Sequence, residues 1–327
     1  MIEIQIEKNW QEDEKLTDFI MNISDNGTVF HRPLFLQYHG QEKFQNIQPV
    51  KIIFREEEKM LACISGAVEF CDERKSFISP FGSSYGGLVY HSDLTFKEIE
   101  EIYFLLLEHL QKEYDHFKLS SSPFFQSRTG KALYVDHILL SKGFTITKSD
   151  IVLVHPLDHA EKLPARIDKK LFAQLKQPLY KKKLRIERIS GPDPEAFELL
   201  LASQARFQAK PTHSFEELMK IEELVPGTVQ TFKSYLGEKL VSGIITFHVN
   251  KDILLNFYVF DSLEGRELKA NHFTYYNVAV YAHEQDYKYL DFGPSSFGWN
   301  PNYPLIYFKE RFDGRPFLRN IFEKQAV

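Results

Sequence analysis

The feature that most constrains the fold is an order of predicted elements that occurs twice along the chain. Each half has strand-like segments, then a helix, then one more strand, and the strands alternate or are rich in β-branched and aromatic residues. In the first half these elements fall at 50–54, 60–70, 96–114 and 116–120. In the second half they fall at 228–235, 240–249, 253–260, 269–284 and 287–292. The order predicts two domains of one type.

A single offset of 173 residues relates the two halves, because it sets Tyr114 beside Tyr287 and the strand after the first helix beside the strand after the second. The same offset sets a glycine-rich stretch at 79–90 beside 252–263. Few residues are identical across the halves, so the repeat is one of element order. A chain of 327 residues with 43% hydrophobic residues is large enough to fill two cores.

Charge and cysteine content exclude several classes of protein. The formal net charge is −5 and the pI is about 6.2, which argues against a polybasic nucleic-acid or membrane-surface protein. The N-terminus lacks the layout of a signal peptide, and no apolar run reaches the roughly 18 residues that span a bilayer. We therefore expect a cytoplasmic protein. Cys63 and Cys71 are too few for a disulfide framework or a zinc site, and no metal is predicted.

A basic segment separates the two halves. Residues 166–188 contain nine Lys or Arg residues and two acidic ones. Clustered cations neutralise phosphates, so Lys182, Lys183 and Arg185 are candidates for a phosphate-binding rim. The alternative is a solvated helix or linker face, which is the usual role of a run of charges.

The C-terminal forty residues carry the most specific motif. An apolar strand ends in Asp291-Phe292-Gly293, and Lys309 follows sixteen positions after that glycine, inside an aromatic segment that begins at Tyr307. A lysine among aromatic residues is rarely a purely solvated side chain. Phe308, Phe312 and Gly314 complete the pattern.

These residues resemble the C-terminal signature of the FemAB-like branch of the GNAT acyltransferases. In that branch a strand ending in D-F-G leads to an F-K-x-x-F-G-G-like segment, and Asp313 stands where the family more often has glycine. The resemblance implies an α/β (α+β) fold of two tandem GNAT-like domains, each with a mixed, mostly antiparallel sheet flanked by helices. The expected boundaries are 1–160 for the acceptor-side domain, 161–190 for a basic linker or start of the second domain, and 191–327 for the C-terminal domain.

The resemblance also implies roles for the motif residues. Phe308 would form a wall where acyl donor and acceptor meet, and Lys309 would be a cation opposing a phosphate or carbonyl oxygen. Asp291 would orient the attacking amine or Lys309. The alternative for this pair is an Asp–Lys ion pair that only holds the C-terminus.

A loop in the second half occupies the position where GNAT folds hold a pyrophosphate, between a strand and a helix N-terminus. Gly265 would let a donor approach the backbone, and the remaining donor-binding candidates are Arg266, Lys269, Asn271 and Phe308. The R/Q-x-x-G-x-G/A loop of coenzyme A-binding GNATs is absent, which fits the FemAB-like branch better. An ordinary strand-to-helix connection is the alternative.

The glycine-rich stretch in the first half resembles the Y-G-G strand that lines the acceptor groove of FemAB-like proteins. Tyr85, Gly86 and Gly87 are accordingly predicted to bind the acceptor, because glycines let a ligand approach the backbone. A glycine-rich hairpin with no ligand is the alternative.

The predicted reaction is attack of a primary amine on an activated acyl carbonyl to form an amide. Acyl-CoA or aminoacyl-tRNA would be the co-substrate, with no tightly bound cofactor, so tRNA is a partner in the aminoacyl version. The acceptor would be a small-molecule or cell-wall precursor amine. The competing hypothesis is a catalytically inert GNAT fold that acts as a binding or scaffold protein.

Overall fold

The structure is a computed structural model that describes residues 1–39, 46–71, 74–157, 167–175 and 184–326, apart from the side chain of Gln174. In chain order the strands are β1 (Glu3–Glu7), β2 (Ile47–Glu56), β3 (Lys59–Cys71), β4 (Arg74–Ser79), β5 (Val89–Tyr90), β6 (His116–Ser120), β7 (Thr145–Pro156), β8 (Leu184–Ser190), β9 (Val229–Leu236), β10 (Lys239–Asn250), β11 (Ile253–Asp261), β12 (Tyr289–Pro294), β13 (Ser296–Phe297), β14 (Asn300–Pro301) and β15 (Arg315–Gln325). The α-helices are α1 (Glu14–Asp18), α2 (Pro33–Leu36), α3 (Phe96–Glu113), α4 (Ala132–Ser141), α5 (Lys169–Leu175), α6 (Pro194–Ala205), α7 (Phe215–Leu224), α8 (Leu263–Glu267), α9 (Ala270–Glu284) and α10 (Tyr303–Glu310).

The chain forms two compact units. Unit 1 comprises residues 1–151 and 317–327, and unit 2 comprises residues 152–316. The expected boundaries differ at the C-terminus, because β15 pairs with β6 and so returns the end of the chain to unit 1. They also differ at the basic segment, whose last residues form β8, a strand that pairs with β9 in unit 2.

In unit 1 the neighbouring strands follow the order β1-β2-β3-β4-β6-β15, and the one parallel pair among them is β4 with β6 in the part of the chain described. Helix α3 forms where Thr95 and Glu98 make a capping box and apolar residues recur at helical spacing. Its buried face, which includes Ile102 and Leu106, packs into a core with the sheet residues Phe77 and Phe117. Burying this face stabilises the helix more than its intrinsic propensity does.

In unit 2 the order is β12-β11-β10-β9-β8, and the residues of β7 that belong to this unit pair with β12. Strands β9, β10 and β11 form an antiparallel meander, whereas β11 and β12 are parallel. Helix α9 connects those parallel strands and buries Tyr275 and Val278. Each unit thus has the mixed, mostly antiparallel sheet with flanking helices that the sequence predicted.

The repeat of element order is present in the structure, since β4, α3 and β6 correspond to β11, α9 and β12. The offset of 173 residues holds for the helix and the strand after it. It is wrong for the glycine-rich stretch, because the parallel strand of unit 1 is β4 and residues 80–88 form a connection. Connections of different length in the two units shift the offset there.

The helices that the structure describes include none long and apolar enough to cross a membrane.

Candidate active site

The centre of unit 2 is the point where two parallel strands separate. Strand β11 pairs with β12 from Ile253 to Leu255, opposite Tyr289 to Asp291. Beyond this point β11 has a bulge at Phe257, because Ile245 of β10 faces Tyr258 whereas the next residue faces Asn256. The bulge re-aims the side chains of β11 just where its neighbour diverges.

A cavity of about 480 Å³ lies between the diverging strands, and we call it the strand cavity. Its walls come from β11, β12, α9 and α10, with one residue from α6. The lining residues are Gln204, Asn256, Phe257, Tyr258, Val259, Asn271, Tyr275, Phe292, Gly293, Pro294, Leu305, Phe308 and Lys309. Aromatic and aliphatic side chains beside a few amide and amine groups are typical of a small-molecule site.

Lys309 is the one lysine, arginine or acidic residue among the described residues that line the strand cavity. The side chain is 2% exposed, and Nζ donates to the carbonyl oxygens of Gly293 at 2.9 Å and Pro294 at 3.0 Å. Burial lowers the pKa of Lys309 to about 7, against the opposing effect of the Asp291 charge. The amine therefore exchanges a proton near neutral pH.

Asp291 is fully buried at the end of the paired region of β12. One carboxylate oxygen accepts a hydrogen bond from the backbone N–H of Gly293 at 2.7 Å. Asp291 is not among the described residues that line the strand cavity, although its charge acts on Lys309. The geometry thus gives Asp291 a role in shaping the strand end and in setting the charge of Lys309.

A second cavity, of about 400 Å³, lies at the N-terminus of α9, and we call it the helix cavity. Arg266, Lys269, Asn271 and Phe308, four of the five residues predicted to bind a donor, line it. Because Val259, Asn271 and Phe308 line both cavities, the two adjoin each other.

The helix cavity is held in shape by a polar network. Asn271 donates to Asp261 at 2.8 Å and accepts from Ser242 at 2.5 Å, while Arg206 forms an ion pair with the same aspartate. Lys269, directly before α9, has a left-handed backbone with φ 55°. That conformation ends α8 and starts α9, so the positive end of the helix dipole lies beside two cationic side chains.

His272 and Phe308 form the aromatic wall between α9 and α10. Their ring centroids are 5.0 Å apart, and Tyr275 packs on Phe308 at 4.9 Å. Burial, aided by the charges of Arg311 and Lys269, lowers the pKa of His272 to about 4. His272 is therefore neutral at physiological pH.

Gly265, the fifth predicted donor-binding residue, lies in α8. A Cβ at this position would lie 1.9 Å from the carbonyl oxygen of Val241, and the Gly265 N–H donates to Ser262 Oγ. The glycine lets α8 pack closely on β10, which occupies the Cβ side of the residue. Donor binding at Gly265 stays a prediction.

The predicted acceptor residues in unit 1 are also packed against protein. A Cβ on Gly87 would lie 2.0 Å from the carbonyl oxygen of Ser120, and a Cβ on Gly86 would lie 2.6 Å from Pro80. Tyr85 is 2% exposed, and the guanidinium of Arg319 lies over its ring. The Cβ sides of both glycines are thus filled by backbone, and acceptor binding at these three residues stays a prediction.

Lys182 and Lys183, predicted to bind phosphate, lie outside the described residues. Arg185 is described, on the edge strand β8. Its guanidinium lies 4.5 Å from the ring centroid of Tyr235 and 3.1 Å from Glu187. Arg185 thus covers the outer strand of unit 2 and is absent from the described lining of both cavities.

Sequence reasoning missed Asn256 and Gln204, which line the strand cavity. A signal for Asn256 was present, because it is the one polar residue within the apolar run from Ile253 to Phe260, apart from the Tyr258 hydroxyl. A polar residue inside a buried strand is more informative than an apolar one. Gln204 carried no such signal, since it is one of several polar residues of α6.

Comparison with solved structures places the fold. The crystal structure of FemX matches with a TM-score of 0.71 at 12% identity, covering 99% of this chain and 97% of FemX. L-PGS from Bacillus licheniformis matches at 0.57 and 11% identity, over 98% of this chain and 93% of L-PGS. A tandem GNAT protein from the clavulanic acid biosynthesis pathway matches at 0.55 and 11% identity, over 100% of this chain and 99% of that protein.

These neighbours confirm, at the level of the fold, the predicted resemblance to FemAB-like and tandem GNAT proteins. The chain shares its fold with the tandem GNAT protein, and with FemX over nearly the whole length of both chains. No protein-family model matches the chain, and no curated protein matches it.

Proposed function

We propose that the protein is an N-acyltransferase whose unit 2 transfers an acyl group from an activated donor to a primary amine. The observation that carries the proposal is Lys309, a buried amine with a pKa of about 7 that lines a cavity between two diverging parallel strands. A proton acceptor matched to neutral pH is what amide formation from an amine requires. The shared fold with FemX and the tandem GNAT protein supports this class of reaction.

The arrangement of Lys309 suits a general base. A neutral lysine amine has two N–H groups, and Nζ contacts two carbonyl oxygens, those of Gly293 and Pro294. With both N–H groups engaged, the lone pair of the nitrogen remains available to take a proton. Lys309 would accept the proton that the attacking amine loses, and would return it to the leaving group.

We further propose that the helix cavity holds the phosphate-bearing part of the donor. Arg266, Lys269 and the N-terminus of α9 supply positive charge there, and the adjoining strand cavity would take the acyl end. Acyl-CoA and aminoacyl-tRNA both carry phosphate near an activated acyl group. The neighbouring tandem GNAT protein was solved in a form without AcCoA, which implies a form with it and supports the first of these donors.

The proposed acceptor is a primary amine of a small molecule or of a cell-wall precursor. A neutral amine is compatible with the strand cavity, whose described lining contains no carboxylate that would hold an ammonium group charged. Deprotonation before attack is then favoured by the surroundings as well as by Lys309.

The test is a matrix of donors and acceptors. Acetyl-CoA, longer acyl-CoAs and aminoacylated tRNA would each be combined with glucosamine, a diamine and a UDP-linked peptidoglycan precursor, and amide products would be detected by mass spectrometry. The proposal expects transfer from one donor class. It also expects that R266A/K269A raises KM for that donor at least tenfold, because each cation lost weakens phosphate binding.

The matched control is R185Q, which removes a cation of unit 2 that lies outside both cavities. It should leave KM for the donor within about twofold of the wild-type value, as surface substitutions usually do. Absence of any amide product with every donor and acceptor, together with no thermal stabilisation by any donor, would favour an inert scaffold.

A further inference from the structure

Asn256 lines the strand cavity, and its side-chain amide has no role in the function proposed above. The residue is 3% exposed, and neither Oδ1 nor Nδ2 has a hydrogen-bond partner among the described residues. A buried amide left unpaired lowers stability, so most buried polar side chains in native proteins are paired. Because Asn256 lines a cavity, its partner is expected to be a bound group.

A buried asparagine of unit 1 offers a comparison. Asn26, which is 2% exposed in unit 1, donates to the carbonyl oxygen of Leu88 and to Ser122 Oγ, and accepts from the N–H of Tyr90. Both the amide nitrogen and the amide oxygen of Asn26 therefore have partners within unit 1. Asn256 departs from that pattern at the centre of the candidate active site.

Asn256 and Lys309 reach the same residue of β12. Lys309 Nζ donates to the Gly293 carbonyl, and a Cβ on Gly293 would lie 3.7 Å from the backbone oxygen of Asn256. Both residues line the strand cavity, and each approaches Gly293. A reacting carbonyl bound in this cavity would be close to both.

We propose that the Asn256 side chain is a catalytic residue that stabilises the oxyanion of the tetrahedral intermediate. This role rests on the proposed acyl transfer. Nδ2 would donate to the oxygen on which negative charge develops, in a cavity where a fixed donor is worth far more than in water. Oδ1 would accept an N–H of the attacking amine. An amide suits these two contacts because its oxygen and nitrogen are attached to one carbon. In the intermediate, the oxyanion and the attacking nitrogen are likewise attached to one carbon.

Acyl transfer then takes place in two stages, addition of the amine and loss of the leaving group. The amine nitrogen attacks the acyl carbon, a C–N bond forms, and the carbonyl electron pair moves to the oxygen that Nδ2 faces. Lys309 takes one proton from the amine nitrogen. The bond to the leaving group then breaks, the oxygen electron pair returns to the carbonyl, and Lys309 gives its proton to the departing thiolate or alkoxide.

The test compares N256L with N26L, two substitutions of buried asparagines by a residue of similar size. With the donor and amine that wild-type protein uses in the matrix above, N256L should lower kcat roughly 100- to 1,000-fold and change KM for the amine by no more than about threefold. N256L should also raise Tm by about 2 °C or more, because an unpaired buried amide is replaced by an apolar group.

N26L should show the opposite signature, with a lower Tm and an unchanged kcat per folded molecule. An isosteric N256D variant should lose activity at least as strongly as N256L, because a carboxylate repels the oxyanion. Wild-type kcat in N256L would overturn the role of Asn256 while leaving the acyltransferase in place. A fall in Tm in N256L like that in N26L would also overturn the role of Asn256. Wild-type protein without transfer from any donor would contradict the proposed function itself, and the role of Asn256 with it.

Discussion

The two units have one order of elements but differ at the place where their parallel strands end. In unit 1, β4 pairs with β6 over four residues, from Ser76 to Ser79, and backbone fills the space beyond, with Gly87 against Ser120. In unit 2, β11 pairs with β12 over three residues, and a cavity of about 480 Å³ follows. The fold therefore provides the position, and the connections decide whether it is filled or open.

The polar residues at these two places differ in the same way. In unit 1, the buried His31 contacts both Thr28 and the carbonyl oxygen of Gly86. In unit 2, the Asn256 amide has no hydrogen-bond partner among the described residues, and Lys309 has a pKa far below its usual value. Perturbed and unpaired groups concentrate at functional sites, so finding both in one cavity supports the proposed chemistry in unit 2.

The largest expected effect is on kcat, and it should distinguish two buried lysines, Lys309 of unit 2 and Lys51 of unit 1. Lys309→Met should lower kcat for acyl transfer by about 100-fold or more, because a positioned general base contributes on that order. Lys51→Met in unit 1 should leave kcat unchanged, because Lys51 forms an ion pair with Glu7 and donates to the backbone oxygen of Gln11. Its cost should fall on stability, by about 1–3 kcal/mol.

Initial rates and urea unfolding of both variants check this contrast. Equal losses of activity in the two variants, or a loss of stability in Lys309→Met that accounts for its lost turnover, would remove the catalytic assignment of Lys309.

The next contrast concerns two glycines with positive φ. Gly87→Ala should destabilise the protein by about 3 kcal/mol or more, because the new Cβ would lie 2.0 Å from a backbone oxygen. Gly293→Ala should cost only about 1 kcal/mol, the usual penalty of a left-handed residue, since the nearest atom is 3.7 Å away. Urea unfolding measures both, and a larger loss for Gly293→Ala would mean that the end of β12 is as tightly packed as unit 1.

A third prediction follows from the pKa of Lys309. The folded protein releases this proton at a pH of about 7, whereas the unfolded chain holds it to about pH 10.4. Between these values the unfolded state binds more protons, so folding stability rises with pH. Relative to Lys309→Met, wild-type protein should gain stability from pH 7 to pH 9, by at most about 1.4 kcal/mol per pH unit. Parallel curves for the two proteins would contradict the lowered pKa.

The smallest expected effect is on the pH dependence of stability. Burial lowers the pKa of two histidines, His31 and His272, to about 4. Both should make the protein less stable as pH falls from 6.5 to 4, because only the unfolded state binds the proton there. His272→Phe should reduce this loss of folding stability at acid pH by up to about 2 kcal/mol, and it should change stability little at pH 7. His31→Phe should destabilise at pH 7 as well, since it breaks hydrogen bonds to Thr28 and Gly86.

Thermal unfolding between pH 4 and 7.5 distinguishes the two histidines. A loss in His272→Phe at pH 7 equal to that in His31→Phe would show that His272 is a structural residue of the same kind.

Much of the fold was predictable because local patterns and tertiary structure agree. Helix α3 has a capping box and an apolar face, and the meander of unit 2 is rich in β-branched and aromatic residues between short turns, so both were predicted within a few residues. The return of β15 to unit 1 was not predictable, because its pairing with β6 joins residues about 200 positions apart. Pairings of such separation leave no local trace.

The site was predictable where chemistry and spacing coincide, as for Lys309 and for Arg266 and Lys269. The role of the glycines was less predictable. At Gly265 and Gly87 the nearest atoms are backbone oxygens of the same unit. One sequence cannot distinguish a glycine that admits a ligand from one that admits a neighbouring strand.

The central claim is that Lys309, in the cavity of unit 2, accepts the proton of the attacking amine. The most direct test is the initial rate of amide formation from pH 5.5 to 9.5, at saturating donor, for wild-type protein and Lys309→Met. The account predicts a wild-type rate that rises with pH through a midpoint near 7, and a much lower variant rate without that rise. Profiles with the same midpoint in both proteins would contradict it.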